Sequence, residues 1–340
     1  MLEKNPLKLA EYNFKDVELT YKIAKKLKLI ELMCSRSIIT GTPFIKVKSP
    51  IAALDIMYLK ELHKLGFVAN SNYNYNNNNP IEGAFVIEPK RGFYTDIFVL
   101  DFKSLYPSII MTFNIDPFSI NDKGTIIAPN GAKFLKEKAI LPKLIEELYE
   151  LRDLAKKEND SIKSYTLKIT MNSFYGAMAS AKSRFHNRDV GGAITSFGRF
   201  ILNKAKEFAE DKGYDVIYGD TDSVFIKIPN LEHKSMEDKK KQGFELEKAF
   251  NEYFSLWVES EFCVKSYLKI EFEKIFSSFF IASKKRYVGY DEFSKKIMFT
   301  GMEAIRGDWT ILAQNFQKEL VNLIFAKESK ENIQKFILNY

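Results

Sequence analysis

Cysteine is scarce here: Cys34 and Cys263 are the only two in 340 residues. Thiols that far apart build neither a disulfide framework nor a zinc ribbon, which favours a reducing compartment and makes both expected buried small hydrophobes. Long apolar runs are missing as well. No uninterrupted stretch approaches the roughly 18 residues of a membrane-spanning helix, and the opening MLEKNPLKLAEYNFKD sets charges where a signal peptide needs an apolar segment. The expectation is a soluble, intracellular protein. No internal repeat is visible, and strong bias is confined to residues 70–79 (NSNYNYNNNN), which read as a flexible linker. Charge of one sign does not dominate: 51 Lys+Arg against 44 Asp+Glu leave +7, compatible with a polyanionic partner but not diagnostic of one. What is present in quantity is apolar. A hydrophobic share of 46% excludes wholesale disorder, and the length allows about two domains at roughly 150 residues each.

Before the asparagine run, residues 16–33 and 50–65 carry helical apolar spacing. After it the pattern changes. Residues 97–102 (IFVLDF) form a short β-branched and aromatic run, expected to be a buried strand. Residues 141–158 and 162–178 read as two amphipathic helices in an antiparallel hairpin, with Pro142 in a first turn and Ser161 as N-cap. A long helix over about 190–211 precedes DVIYGDTDSVFIKI, which reads as strand, tight turn, strand. Further strands are expected over 267–290 and helix over 309–338. The pattern is α+β, an antiparallel sheet interrupted by a helical hairpin.

The acids of these strands carry the chemical argument. Asp101 ends an apolar strand and runs into Ser104-Leu105-Tyr106-Pro107, a turn whose outward backbone N–H groups can hold phosphate. Asp220 and Asp222 flank Thr221 in a hairpin turn between hydrophobic strands. A lone Asp-x-Asp is more often turn hydrogen bonding than a metal site. Its company changes that balance. Arg152 and Lys156 are spaced i,i+4, and Lys168, Asn172 and Tyr175 or Gly176 share one stripe of the next helix, so the hairpin could take a triphosphate. For Arg152 or Lys156 alone, a solvated surface cation balanced by Glu146, Glu147 and Glu150 is the simpler reading.

Three of these segments, DFKSLYPSII (101–110), KITMNSFYGAM (168–178) and YGDTDS (218–223), resemble motifs A, B and C of family B DNA polymerases, in the family's order. SKKRY (283–287) and TGMEAIRGDW (300–309) resemble its primer-strand motif and the motif that opens its thumb. The nearest flavour is archaeal-type replicative polymerase. The resemblance implies a helical exonuclease remnant (1–69), an Asn-rich linker (70–80), a palm in two parts (81–138 and 181–308), fingers (139–180) and the start of a thumb (309–340).

It further implies template-directed addition of dNMP from dNTP to a primer 3′-hydroxyl, with two Mg²⁺ ions on Asp101, the Phe102 carbonyl and Asp222, and with Asp220 as a neighbouring catalytic carboxylate. Ser104 and Leu105 would offer N–H groups to the triphosphate, and Arg152, Lys156, Lys168 and Asn172 would bind it from the fingers. Tyr106 would lie under the incoming sugar. Tyr175, Gly176, Lys284, Lys285 and Tyr287 would meet DNA, and Glu273 or Glu271 would be an acid close to the metals. Implied partners are primer-template DNA, dNTP and a second polypeptide supplying exonuclease or thumb, with no membrane. Implied locations are the cytoplasm with the nucleoid, or the nucleus in a eukaryote.

Departures from the family pattern are Ile81 where its linker motif has tyrosine, ahead of Glu82-Gly83-Ala84, a short fingers turn at 159–161, and Gly307 where a basic or polar residue is expected. Tyr12 and Asp16 resemble the last exonuclease motif, without the other exonuclease segments, so no proofreading is expected. A rival reading is a non-catalytic or split-polymerase subunit that binds primer-template DNA and needs a partner chain; the intact acids argue against it. A protein-primed relative would carry extra insertions, and the compact 101-to-222 interval argues against that too.

Overall fold

Helix starts in the computed structural model follow local capping chemistry. The structure describes residues 5–71, 81, 83, 85–137, 139–231 and 233–340, so the expected linker lies almost wholly outside the described residues, as do Glu82 and Ala84 of the linker motif. In chain order come helices α1 (Pro6–Lys26), α2 (Leu29–Thr40) and α3 (Pro50–Lys64), strands β1 (Val86–Ile87) and β2 (Gly92–Phe102), and α4 (Leu105–Thr112). Then follow β3 (Ile126–Ile127), β4 (Lys133–Phe134), α5 (Ile140–Lys157), α6 (Ser161–Ala179), α7 (Arg188–Asp211), β5 (Asp215–Asp220) and β6 (Ser223–Lys227). The chain ends with α8 (Met236–Phe262), β7 (Ile270–Ser283), β8 (Arg286–Asp291), β9 (Lys296–Thr300), α9 (Ile311–Phe325) and α10 (Lys330–Asn339). Asn5 and Ser49 cap α1 and α3, each with proline in the first turn, and Ser235, Thr310 and Ser329 cap α8, α9 and α10.

Contacts divide the chain into two compact units. One takes the chain up to Ile81 with Phe113–Ile127 and Gly131–Ile194, and the other takes the stretch from 82 to Thr112, Ala128–Asn130 and Thr195–Tyr340. In the first unit α5 and α6 form the expected hairpin, with α2 and α3 packed on α6. Its turn is capped by Asp160, which accepts from the Lys163 N–H at 2.9 Å, rather than by Ser161. The helix begins one residue earlier than expected, so Ser161 is already its first helical residue and Asp160 takes the capping position.

The second unit holds a seven-stranded antiparallel sheet in the order β1-β5-β6-β2-β7-β8-β9. Central β2 is buried on both faces from Asp96 to Leu100. On one face Ile97 and Val99 pack with Ile217, Tyr218, Phe225, Phe276, Phe279 and Ile281. On the other, Phe98 meets Phe272 at 5.3 Å between ring centroids and Phe102 meets Phe254 of α8 at 5.2 Å. The result is α+β, as the strand and helix periods imply.

Two further expectations need correction. Both cysteines are exposed: Cys34 faces outward from α2, and Cys263 closes α8 in a left-handed turn at φ 53°, a position outside the packed face of the helix. The 309–338 segment is two helices, broken where Lys327 turns left-handed at φ 57°. The longest helix, α8, has no counterpart in the pattern reading, because its buried positions Leu246, Phe250, Phe254 and Val258 are diluted by a charged first half.

Candidate active site

Within the second unit, the end of β2 brings the acids together. Strand alternation continues the row of Ile97 and Val99 to Asp101, so an apolar face ends in a carboxylate. Asp101 stands opposite Ser223 of β6 on one side and Glu271 of β7 on the other. The β2–β7 pairing then slips: Val99 opposes Lys274 and Leu100 opposes Phe272, which leaves Glu273 as the extra residue of a β-bulge. Across β5 and β6, Asp220 pairs with Ser223 and leaves Thr221-Asp222 as a two-residue turn, with Thr221 at φ 60°. The Asp222 carbonyl accepts from the Phe102 N–H at 2.8 Å, so this turn is tied to the residue that follows Asp101.

Electrostatics separate these acids into two kinds. Asp220 pairs with Lys285 at 2.7 Å, Glu271 with Lys103 at 3.0 Å and Glu273 with Lys274 at 2.9 Å. Among the described residues no such ion pair reaches Asp101 or Asp222. Burial first, then the charges of Asp222 and Glu273, push the Asp101 carboxyl up to about 7, with Lys274 pulling the other way. Burial and the Asp220 charge likewise raise Asp222, against the pull of its own backbone N–H and of Lys285. Two half-buried, mutually repelling carboxylates without a cation suit a divalent ion. Among the described residues no three His, Cys, Asp or Glu side chains converge as a protein-built metal cage would require. Two carboxylates and a carbonyl instead fit magnesium, which keeps waters and takes substrate phosphate oxygens for its remaining positions.

Below the acids, Ser104 is left-handed at φ 49° and leads into α4, whose first turn presents the Ser104 and Leu105 N–H groups. Leu105 is buried and anchors that turn, while Tyr106 is half-buried. The Tyr106 ring lies against Gly198 of α7, where a Cβ would come within 3.3 Å of Tyr106 Cε1. At the far edge, Lys284 and Lys285 form the tip of the β7–β8 hairpin, and Lys284 pairs with Glu88 at 2.6 Å. Tyr287 sits behind them, half-buried and 6.0 Å from the Tyr218 ring.

The first unit carries the remaining expected residues on the hairpin. Lys168, Asn172 and Gly176 are exposed along one stripe of α6 with Tyr175 beside them half-buried, while Leu167, Met171, Phe174 and Met178 face the packing side. On α5, Lys156 is exposed with Asp153 3.6 Å away, and Arg152 has a buried Nε that no hydrogen bond satisfies. Tyr12 and Asp16 lie on α1, which has no buried residue.

Sequence reasoning missed Lys103, Lys274, Gly198 and Tyr218. Lys103 and Lys274 each sit one residue from a recognised acid or aromatic, and the adjacency Glu273-Lys274 was the available signal. The bulge that aims Glu273 has no sequence signature.

The profile of DNA polymerase family B matches residues 51–340. DNA polymerase II of Escherichia coli (strain K12) is 35% identical over 337 residues, covering 94% of this chain and 42% of that protein. A DNA polymerase of Archaeoglobus fulgidus is 30% identical over 339 residues, covering 95% of this chain and 41% of that one. The solved family B DNA polymerase of the hyperthermophilic archaeon Pyrobaculum calidifontis superposes with a TM-score of 0.64 at 29% identity, over 98% of this chain and 43% of that one. The chain thus spans about two fifths of the length of the curated relatives it matches.

Proposed function

The chain belongs to DNA polymerase family B, and on that premise we propose that it performs template-directed DNA synthesis, joining the 3′-hydroxyl of a primer to the α-phosphate of a dNTP with release of pyrophosphate. One observation carries this reading. Of the five acids at the end of β2 and on its neighbours, lysines neutralise three, and the two left without one are Asp101 and Asp222.

In this reading Asp101, the Phe102 carbonyl and Asp222 hold two Mg²⁺ ions, with Asp220 as a neighbouring carboxylate. When bound, magnesium supplies Lewis acidity to the attacking and leaving oxygens of phosphoryl transfer. The chain's own residues do the positioning. The Ser104 and Leu105 N–H groups at the start of α4 donate to phosphate oxygens, where the helix terminus favours negative charge. Arg152, Lys156, Lys168 and Asn172 bind triphosphate oxygens by charge-assisted or amide hydrogen bonds. The Tyr106 ring packs beneath the sugar and leaves no room for a 2′-hydroxyl, the group that marks a ribonucleotide. Tyr175, Gly176, Lys284, Lys285, Tyr287 and Glu273 lie along the DNA, and the cations among them hold the backbone.

Primer extension with Asp101→Asn and Asp222→Asn tests the proposal, because both substitutions preserve side-chain volume and remove only charge. Each is expected to lower incorporation by at least about a thousandfold while leaving duplex binding within a few fold, since metal and backbone grip are separate interactions. Extension within tenfold of wild type by either variant overturns the assignment.

A further inference from the structure

The tip of the β7–β8 hairpin is held from three directions. Ser283 and Arg286 form its last pair, leaving Lys284-Lys285 as the turn, with Lys285 left-handed at φ 59°. The Tyr218 hydroxyl accepts a hydrogen bond from the Lys285 N–H at 2.9 Å. Gly301 backs the turn: a Cβ there would lie 2.0 Å from the Lys285 carbonyl oxygen, so only glycine lets the chain pass. The Lys285 ammonium reaches Asp220 at 2.7 Å.

Tyr218 makes this contact across the sheet rather than along a ladder. It belongs to β5, which β6 and β2 separate from β7 and β8. Its fully buried ring crosses that distance on an aromatic layer, 5.2 Å from Phe225, which lies 5.5 Å from Phe279 and 5.3 Å from Tyr287. The phenol also interacts with Asp220, two residues along its own strand. An exposed Lys–Asp pair contributes little to stability and leaves a long side chain free to wander. A hydroxyl on an immobile ring fixes backbone instead.

We propose that Tyr218 is a positioning residue whose hydroxyl locks the Lys284-Lys285 turn to the strand end bearing Asp220, so that the primer-gripping lysines and the acidic turn hold one fixed spacing. This rests on the polymerase reading above. The mechanical half stands on contacts within the second unit alone.

Tyr218→Phe removes one oxygen and keeps the ring. Amide hydrogen exchange at Lys285 is expected to accelerate about five- to tenfold, the range of one net hydrogen bond, with the melting temperature nearly unchanged. In primer extension the KM for primer-template should rise by a similar factor while the KM for dNTP stays constant. Lys285→Gln supplies the second arm: if Tyr218 acts through this turn, Tyr218→Phe adds little to the primer KM in a Lys285→Gln background. Unchanged Lys285 exchange, additive effects in the double variant, or a shift in dNTP KM alone overturns the proposal. A wild-type chain that extends no primer, yet shows the exchange contrast, overturns the polymerase reading and leaves the lock in place.

Discussion

Lys168 stands exposed on α6, so replacing it removes a charge without opening a cavity. Lys168→Ala should therefore leave stability within about 0.5 kcal/mol and lower kcat/KM for dNTP by on the order of 2–4 kcal/mol, as loss of a charge-assisted phosphate contact in the transition state does. An effect confined to DNA affinity would place Lys168 elsewhere. In the proposed reading Tyr106 is a steric element rather than an electrostatic one, and Tyr106→Ala should raise ribonucleotide incorporation by at least about tenfold, the scale of removing a well-fitted contact. Gly198 provides an independent handle on the same ring. Its missing Cβ would sit 3.3 Å from Tyr106 Cε1, so Gly198→Ala must shift the ring by a few tenths of an ångström. A surface fitted to deoxyribose loses most for deoxyribose when displaced, so the dNTP-to-rNTP ratio of kcat/KM should fall, by less than in Tyr106→Ala. Equal ratios in wild type and both variants remove Tyr106 from sugar selection.

At the scale of elements, α5 shows how a helix is started from outside its own sequence. Ala139 precedes it and offers no side-chain cap. Instead the fully buried Asp116 accepts from the Leu141 N–H through Oδ2, and from Phe118 N–H and the Tyr58 hydroxyl through Oδ1, each at 2.5 Å. Asn114 Oδ1 accepts from the Ala139 N–H at 2.9 Å. Asp116→Asn turns an amide NH₂ toward one of these donors, and Asp116→Ala leaves the donors buried and unpaired. The second variant should lose about 1–3 kcal/mol for each donor that water cannot reach, read as a lower melting temperature, whereas an unchanged melt would show that α5 needs no remote cap. Such a cap is invisible to a pattern search, because partners 25 residues apart follow no local rule. Legible features were those with a period or a spacing: the α5–α6 hairpin, the apolar run ending in Asp101, and the turn at Thr221. Illegible were α8, whose charged first half masks its apolar stripe, the break at Lys327, which no proline or glycine marks, and the bulge that leaves Glu273 without a ladder partner on β2.

For the whole molecule, the proposed role of the two carboxylates as magnesium ligands would couple folding to protons and to the ion. Asp101 titrates at about 7 when folded and near 3.9 when unfolded, so between those values the native state binds the extra proton. The contribution of Asp101 to stability in metal-free buffer should be greatest below about pH 4, decline as pH rises toward 7, and level off above it. Magnesium reverses the sign. It binds only the deprotonated pair of the folded chain, so its stabilisation grows through the same interval and saturates above it, reaching about 2.7 kcal/mol at a hundredfold excess over Kd. Thermal melts at pH 5 and pH 8, with chelator and with Mg²⁺, should therefore show a large magnesium increment at pH 8 and a small one at pH 5. Asp101→Asn removes both the titrating group and a ligand, so its metal-free melt should lose the decline and its magnesium increment should shrink at pH 8. A magnesium increment that is equal at the two pH values, or that persists in Asp101→Asn, would mean that the ion stabilises the fold somewhere other than at the end of β2.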